Sequence, residues 1–207
     1  YEPGPHTWST AGHAPAGMVT SGICQPPIHA LALERIRAIA AGRADGSVEH
    51  VEAALPRLYV QLARWHRWLR TARDPSGTGL VTIVHPWESG MDNSPRWDEP
   101  IRAVLDQLDD TTAASNRPDL THVADPAQRP TEDQYRAFHH LVRKLIEVDY
   151  DQAVALISHP FRVTDVWFSA ILARADDARD LPELAAGIFA YNEALSQSGW
   201  AAPVTHL

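Results

Sequence analysis

The amino-acid sequence predicts an all-α protein, and three observations support this fold class. Apolar residues recur at intervals of three or four positions over most of the chain, which places them on one face of a helix. Proline, serine, threonine and glycine stand where these segments would begin or end. Beside the helices the pattern predicts a single short strand, the β-branched run at residues 80–84.

The N-terminal part of the chain contains an irregular lead-in followed by two helices. Glycine, proline, serine and threonine are frequent over residues 1–22, which predicts irregular backbone. Helices are predicted over residues 26–41 and 47–73, because the apolar residues of each segment share one face. Gly42 ends the first helix, and Pro56 is expected to kink or split the second.

The C-terminal part alternates helices with a long polar segment. Ser94 followed by Pro95 predicts an N-cap and a first-turn proline, so a helix begins there. Residues 109–130 are polar and punctuated by proline, which predicts a lid-like or substrate-binding loop. Thr131 then caps a helix whose buried stripe contains Tyr135. Further helices are predicted over residues 153–157, 165–175 and 181–195.

The composition argues against several kinds of partner. With 207 residues and 44% hydrophobic content, the chain is long enough for one domain with one core. A net charge of -8, with 18 lysines and arginines in no basic block, argues against nucleic acid. No apolar run approaches the roughly 20 residues of a membrane span. The histidines show no metal-ligand spacing, so no metal site is predicted.

The single cysteine bears on the compartment. Cys24 has no partner for an internal disulfide, which fits a reducing environment, and the cytoplasm is the predicted location. The first residues lack the pattern of a signal peptide. Because the chain does not begin with methionine, a leader on a preceding segment stays open.

Residues 85–98 carry the densest chemistry in the sequence. Three carboxylates, two tryptophans, an arginine and a glycine fall within these fourteen residues. Indole faces stack on apolar ligand surfaces, including the C–H faces of sugars, while short polar side chains fix hydroxyl groups. Asp92 lies on the loop just before a predicted helix, and a local ion pair between Arg96 and Asp98 is expected to order this turn. These residues predict a binding or catalytic site.

Four segments carry a resemblance to a known family. They are Ile-Cys-Gln-Pro-Pro at residues 23–27, the run at 85–98, Arg-Pro-Thr at 129–131 with Tyr135, and residues 163–172. The chain resembles the inverting (α/α)6-barrel glycoside hydrolases, specifically the mannosylglycerate and glucosylglycerate hydrolases related to glycoside hydrolase family sixty-three. The family pattern usually has asparagine at the place of Ser169. The resemblance implies that residues 1–207 form the central part of one (α/α)6 toroid of helical hairpins, incomplete at both ends.

The resemblance also implies roles for individual residues. Asp92 takes the place of the catalytic general acid, which protonates the departing glycosidic oxygen. The residues implied for substrate binding are Gln25, Trp87 and Glu88 at the sugar, and Arg129 and Tyr135 at a glycerate carboxylate. No cofactor is implied, and the expected partner is a small sugar substrate. The residue types alone also allow Gln25 to cap a helix, Arg129 to be a solvated charge and Tyr135 to face the core.

The chain departs from an intact enzyme of this family. The family's base is a glutamate far to the C-terminal side, and an early helix carries a Trp-Asp pair; neither has a matching position in this sequence. We therefore expect a fragment without its general base and with little turnover by itself. Two alternatives remain: an α-glucosidase acting on gluco-oligosaccharides, in which Arg129 does not contact substrate, and a noncatalytic helical carbohydrate-binding module. The sequence does not predict an oligomeric state.

Overall fold

The computed structural model describes residues 22–108, 117, 120 and 123–179, and within them the predicted all-α class is confirmed. The helices are α1 His29–Ala41, α2 Ser47–Ala72, α3 Asp98–Leu105, α4 Glu132–Glu147, α5 Gln152–Ser158 and α6 Val166–Arg179. Three short 3-10 turns, Pro86–Ser89, Pro95–Trp97 and Pro126–Gln128, connect them. Nearly all of the lead-in at 1–22, much of the loop at 109–130 and the helix predicted over 181–195 lie outside the described residues.

Local chemistry explains where the helices begin. Residues 23–27 stay extended or irregular because Gln25 and Pro26 each precede a proline, which disfavours helical backbone, so α1 begins at His29. At α4, Thr131 accepts a hydrogen bond from the Gln134 amide at 3.2 Å, and the Gln134 side chain accepts one from the Thr131 amide at 2.8 Å. This is the predicted cap in its reciprocal form.

The chain divides into two compact units, each with its own buried residues. The first comprises Tyr1–Pro26 and Arg70–Ser169, and the second comprises Pro27–Leu69 and Ala170–Leu207. Core residues of the first unit include Ile83, Val84, Trp97, Ile101, Val104, Phe138, Leu141, Leu145, Phe161 and Phe168. Within the second unit, Ala30, Ala175 and Ala178 pack with Leu31 and Leu62, and His66 Nδ1 lies 2.7 Å from Asp176 Oδ1. None of the described helices is long and apolar enough to span a bilayer.

The first unit contains a short two-stranded antiparallel sheet. Strand β1, Thr82–Ile83, pairs antiparallel with β2, Val163–Thr164, with Thr82 opposite Thr164 and Ile83 opposite Val163. The β1 strand lies inside the predicted run at 80–84, whereas β2 was not predicted. Beside this sheet, the Ser169 hydroxyl accepts a hydrogen bond from the Val81 amide at 2.9 Å and donates one to the Asp165 carbonyl at 2.7 Å. Ser169 therefore joins the first turn of α6 to the residue before β1.

We predict that Ser169→Ala lowers the free energy of unfolding by about 1–2 kcal/mol, because the buried Val81 amide then loses its acceptor. Urea unfolding of the two proteins measures the difference. Ser158→Ala is the matched control, since among the described residues the exposed Ser158 hydroxyl bonds within its own helix alone, to the Val154 carbonyl. Equal effects of the two substitutions would contradict the assigned role of Ser169.

Candidate active site

The loop that carries the expected acid begins with a tightly specified turn. Pro86 occupies the first position of the 3-10 turn Pro86–Ser89, and His85 Nδ1 accepts a hydrogen bond from the Trp87 amide at 3.1 Å. Gly90 ends the turn with φ of 68°, a left-handed conformation that favours glycine. A Cβ atom at Gly90 would lie 3.3 Å from Pro26 Cγ, so the turn also packs closely on the segment at residues 23–27.

His85 is a neutral, fully buried support for this turn. Its Nε2 atom lies 3.0 Å from the Phe138 carbonyl oxygen. Because Nδ1 accepts from Trp87, we assign the proton to Nε2, which donates to Phe138. Burial lowers the pKa of His85 to about 3, since the charged imidazolium would lose its water. The His85 ring centroid lies 4.5 Å from that of Trp87, so His85 also packs against the tryptophan that is expected to contact the sugar.

Glu88 is held in a buried network of five hydrogen bonds. Arg73 donates to both carboxylate oxygens at 2.7 Å, the Val84 amide donates at 2.8 Å, and the Cys24 amide and thiol each donate at 3.1 Å. Burial by itself raises the pKa of a carboxyl group, but the charge and hydrogen bonds of Arg73, with those of Val84 and Cys24, lower the pKa of Glu88 to about 2. Glu88 is therefore an ionised acid in the interior.

This geometry corrects the expectation that Glu88 faces the sugar. The residue is 0% exposed, and both of its oxygens already accept hydrogen bonds from the protein. A ligand has no access to it in this structure. Its partners are Arg73, Cys24 and the Val84 amide, none of which the sequence predicts.

The position of Arg73 in the sequence indicates that it is buried. His66, Leu69 and Arg73 follow one another at helical spacing along and just beyond α2, and each is 0% exposed. The Arg73 guanidinium also donates to the Thr82 carbonyl at 3.2 Å and to Gln152 Oε1 at 2.6 Å. Burial opposes its charge, but the Glu88 carboxylate raises the pKa of Arg73 above its ordinary value. A cation on the buried face of a helix predicts a buried acid.

The structure brings Gln25 and Trp87 together. Gln25 Nε2 donates to the Trp87 carbonyl at 3.1 Å, so Gln25 does not cap α1, whose first turn has no side-chain cap. Trp87 is 6% exposed, and its ring meets Tyr135, Phe138 and His139 edge-on at centroid distances of 6.2, 5.7 and 6.2 Å. Both residues come from segments that Glu88 ties together, although they are 62 positions apart.

Asp92 and Arg129 also lie side by side. Arg129 Nη2 is 3.6 Å from Asp92 Oδ2, and the two side chains are 26% and 27% exposed. Asn93 Nδ2 donates to the Gln128 carbonyl at 2.9 Å, which pins the loop after Asp92 to the turn before Arg129. The structure thus places a partly accessible carboxylate beside a partly accessible guanidinium. Arg129 is accordingly not a fully solvated loop charge.

Tyr135 is more buried than a residue expected to contact substrate. It is 5% exposed and packs on Phe138 at 5.9 Å between ring centroids. The Arg117 guanidinium lies 4.1 Å from the Tyr135 ring centroid and donates to the Pro130 carbonyl at 2.7 Å. Arg117 was not predicted, because the sequence gives no periodicity in the loop at 109–130 that would place it.

Arg96 pairs with a distant acid, and the predicted Arg96–Asp98 ion pair is wrong. Arg96 Nη1 donates to Asp165 Oδ1 at 3.0 Å, and Asp165 also accepts from the Trp167 amide at 3.0 Å. Arg96 lies 4.6 Å from the Trp97 ring centroid, and Trp97, 2% exposed, donates to the Met91 carbonyl. Trp97 is therefore a buried core residue that is hydrogen-bonded to the loop that carries Asp92.

Comparison with known proteins identifies the family. Residues 4–207 match the model of the mannosylglycerate hydrolase MGH1-like glycoside hydrolase domain. The chain belongs to this glycoside hydrolase family.

Within the described ranges, no three His, Cys, Asp or Glu side chains are placed to hold a metal ion.

Curated relatives of this glycoside hydrolase chain are sugar-glycerate hydrolases. It is 41% identical over 178 residues to the glucosylglycerate hydrolase of Mycolicibacterium hassiacum, covering 84% of this chain and 39% of that protein. It is 40% identical over 186 residues to the mannosylglycerate hydrolase of Thermus thermophilus, covering 89% of this chain and 41% of that protein. The chain therefore spans about two fifths of the length of these relatives.

Solved structures give the same assignment. The GH63 mannosylglycerate hydrolase of Thermus thermophilus, in complex with Tris and D-glycerate, matches with a TM-score of 0.70 and 35% identity. The match covers 95% of this chain and 46% of that one. The GH63 structures are (α/α)6 toroids, so the chain shares the fold of part of such a toroid.

We predict that the His85 ring stays neutral at pH 5 in the folded protein. Its pKa of about 3 is depressed from 6.5, so the unfolded state binds a proton that the folded state does not, and stability from this group is lost as pH falls from 6.5 toward 3. Each pH unit in that window costs about 1.4 kcal/mol for one proton. Nitrogen-15 NMR of labelled histidines, with His85→Gln to assign the signal, reads the protonation state. A charged His85 ring at pH 5 would contradict the prediction.

Proposed function

We propose that this chain supplies the acid side of an inverting glycoside hydrolase that cleaves a small α-glucosyl or α-mannosyl glycerate. The family supports the class of reaction, and the relatives named as glucosylglycerate and mannosylglycerate hydrolases support the class of substrate. A solved relative in complex with D-glycerate and another complex with glucose support a site for each half of such a molecule.

The pair of Asp92 and Arg129 is the observation that carries the proposal. In a sugar glycerate, the carbon that bears the departing oxygen also bears the carboxylate, so the acid and the carboxylate receptor must be neighbours. Asp92 and Arg129 meet this requirement with 3.6 Å between their closest charged atoms. A guanidinium binds a carboxylate through two parallel hydrogen bonds, which suits Arg129 for the glycerate.

The chemical step assigns one function to each group. Asp92 gives a proton to the glycosidic oxygen as the bond to the anomeric carbon breaks, and glycerate leaves as an alcohol. Water attacks the opposite face of that carbon, and a second carboxylate about 6.5–9.5 Å from the acid accepts the water proton. Glu88 does not fit the role of base, because its carboxylate is buried and bound by Arg73. We expect a glutamate outside these 207 residues to serve, so the isolated chain should turn over slowly.

Gln25 and Trp87 are the residues that we propose for the sugar. The Gln25 amide nitrogen is already used on the Trp87 carbonyl, whereas its amide oxygen accepts no hydrogen bond among the described residues and remains for a sugar hydroxyl. Trp87 is 6% exposed, so a small part of its side chain is accessible to the sugar. Tyr135 supports Trp87 and contributes at most its phenolic end to the glycerate site.

We predict that Asp92→Asn lowers kcat on glucosylglycerate by about 10²–10⁴-fold, because the leaving alcohol then lacks its proton donor. The variant should lose far less activity on α-glucosyl fluoride, since fluoride leaves without protonation. Steady-state rates of the encoded protein, with its flanking sequence, test both statements. Equal losses on the two substrates would show that Asp92 is not the acid.

We predict that Arg129→Gln lowers kcat/KM on glucosylglycerate by about 10–100-fold, the cost of losing a charged hydrogen bond to the substrate carboxylate. The methyl ester of the same substrate has no such charge, so its kcat/KM should change less than threefold. If the protein is instead an α-glucosidase for gluco-oligosaccharides, a neutral disaccharide will be the better substrate and the substitution will leave its hydrolysis unchanged.

A further inference from the structure

We infer that Glu88 is a positioning residue, whose buried carboxylate, clamped by Arg73, fixes Gln25 and Trp87 relative to each other. The inference rests on the proposed function, because it takes these two residues as the sugar contacts. It differs from the expected role of Glu88, since the residue acts through its neighbours and touches no substrate.

One oxygen of Glu88 completes a short cycle of covalent and hydrogen bonds that includes Gln25 and Trp87, the two proposed sugar contacts. Oε1 accepts from both the amide and the thiol of Cys24, at 3.1 Å each. Cys24 is covalently followed by Gln25, whose side chain donates to the Trp87 carbonyl at 3.1 Å, and Trp87 is covalently followed by Glu88. Covalent bonds and three hydrogen bonds thus link these four residues in a loop. A change at the carboxylate is transmitted to Gln25 through a single residue.

The other oxygen fixes that cycle to the scaffold. Oε2 accepts from Arg73 Nη1 at 2.7 Å and from the Val84 amide, just after β1, at 2.8 Å. Arg73 is itself oriented by the Thr82 carbonyl and by Gln152 Oε1 at the start of α5. The carboxylate is therefore held from both sides, and its position is set by three separate elements of the first unit.

The buried ion pair orients the groups that bond to it, in addition to any contribution to stability. An apolar pair of similar volume often stabilises a protein as well as a buried ion pair does, but it cannot orient the Cys24 and Val84 amides. A displacement of about 1 Å at a substrate contact can cost about 10²-fold in rate. The close packing of Gly90 against Pro26, 3.3 Å for a notional Cβ, couples the same segment to the loop that leads to Asp92.

A double-mutant cycle between Glu88 and Gln25 tests the inference in the encoded protein with its flanking sequence. Glu88→Gln keeps the shape but replaces one acceptor oxygen by a donor that faces the existing donors. We expect this change to lower kcat/KM on glucosylglycerate at least tenfold, mainly through KM. In a Gln25→Ala background it should lower kcat/KM less than threefold, because the residue through which Glu88 acts is already gone.

A matched control separates positioning from loss of fold. Asp176→Asn alters a buried contact in the second unit, in which Asp176 Oδ1 lies 2.7 Å from His66 Nδ1, and is expected to lower the melting temperature with less than a twofold change in KM. Circular dichroism confirms the folded fraction of each variant. If Glu88→Gln does not fold, the same cycle is run with Cys24→Ala, which removes one donor to Glu88, and with Cys24→Ser, which keeps a donor and should restore KM.

The outcomes distinguish the two claims. The positioning role is overturned if Glu88→Gln lowers kcat/KM by the same factor in the wild-type and in the Gln25→Ala background. The same criterion applies to Cys24→Ala where that variant is used. Either result leaves the proposed function intact. A wild-type protein that hydrolyses no sugar glycerate overturns the proposed function and the inference together. A non-additive cycle in an active enzyme, with the Asp176 variant unchanged in KM, supports the inference.

Discussion

The loop that carries Asp92 depends on one interaction, the buried ion pair of Arg73 and Glu88. Taking both charges out of water is costly, and only good geometry with satisfied hydrogen bonds offsets that cost. Both conditions are met, since the contact is bidentate at 2.7 Å and the amides of Cys24 and Val84 occupy the remaining directions. Each charge is tolerated only because the other is present. The pair therefore acts as a single structural unit, and the end of α2, the start of β1 and the turn at Pro86–Ser89 are fixed together.

Repeated use of one local device builds the rest of the site. At His85–Pro86, Ser94–Pro95 and Asp125–Pro126, a polar side chain precedes a proline and accepts a hydrogen bond from the amide two residues on. Proline removes an amide that would lack a partner, and the polar side chain satisfies the next one. Each pair starts a 3-10 turn with little freedom. Two of these turns flank Asp92, and the third ends at Gln128, directly before Arg129. Local structure therefore brings the proposed acid and the proposed carboxylate receptor together.

The helices could be predicted because their signals are local, whereas the site could be predicted only in part. Periodicity and caps placed both ends of α2 and the start of α4 within a residue of the observed positions. The Gln-Pro-Pro segment shifted the start of α1 by three positions. Strand β2 is two residues long, too short for alternation to show. The family resemblance implies a place for Glu88 at the sugar, because a sequence motif shows which residues occur together and not which of them are buried. The Arg96–Asp165 contact joins positions 69 apart, and no spacing rule reaches that far.

Two arginine–carboxylate pairs in the same unit have opposite physical properties, and the difference fits their roles. Arg73 and Glu88 are each 0% exposed, so separating them would leave a buried charge without compensation, which costs about 3–5 kcal/mol. Arg129 and Asp92 meet at 3.6 Å with about a quarter of each side chain exposed, and pairs of this kind contribute about 0–1 kcal/mol. The proposed replacement of Asp92 by a substrate carboxylate at Arg129 would therefore cost little, because water already competes for the same atoms. The buried pair cannot be exchanged in this way, so it holds the geometry of the loop, whereas the partly exposed pair is the one that we propose for the substrate.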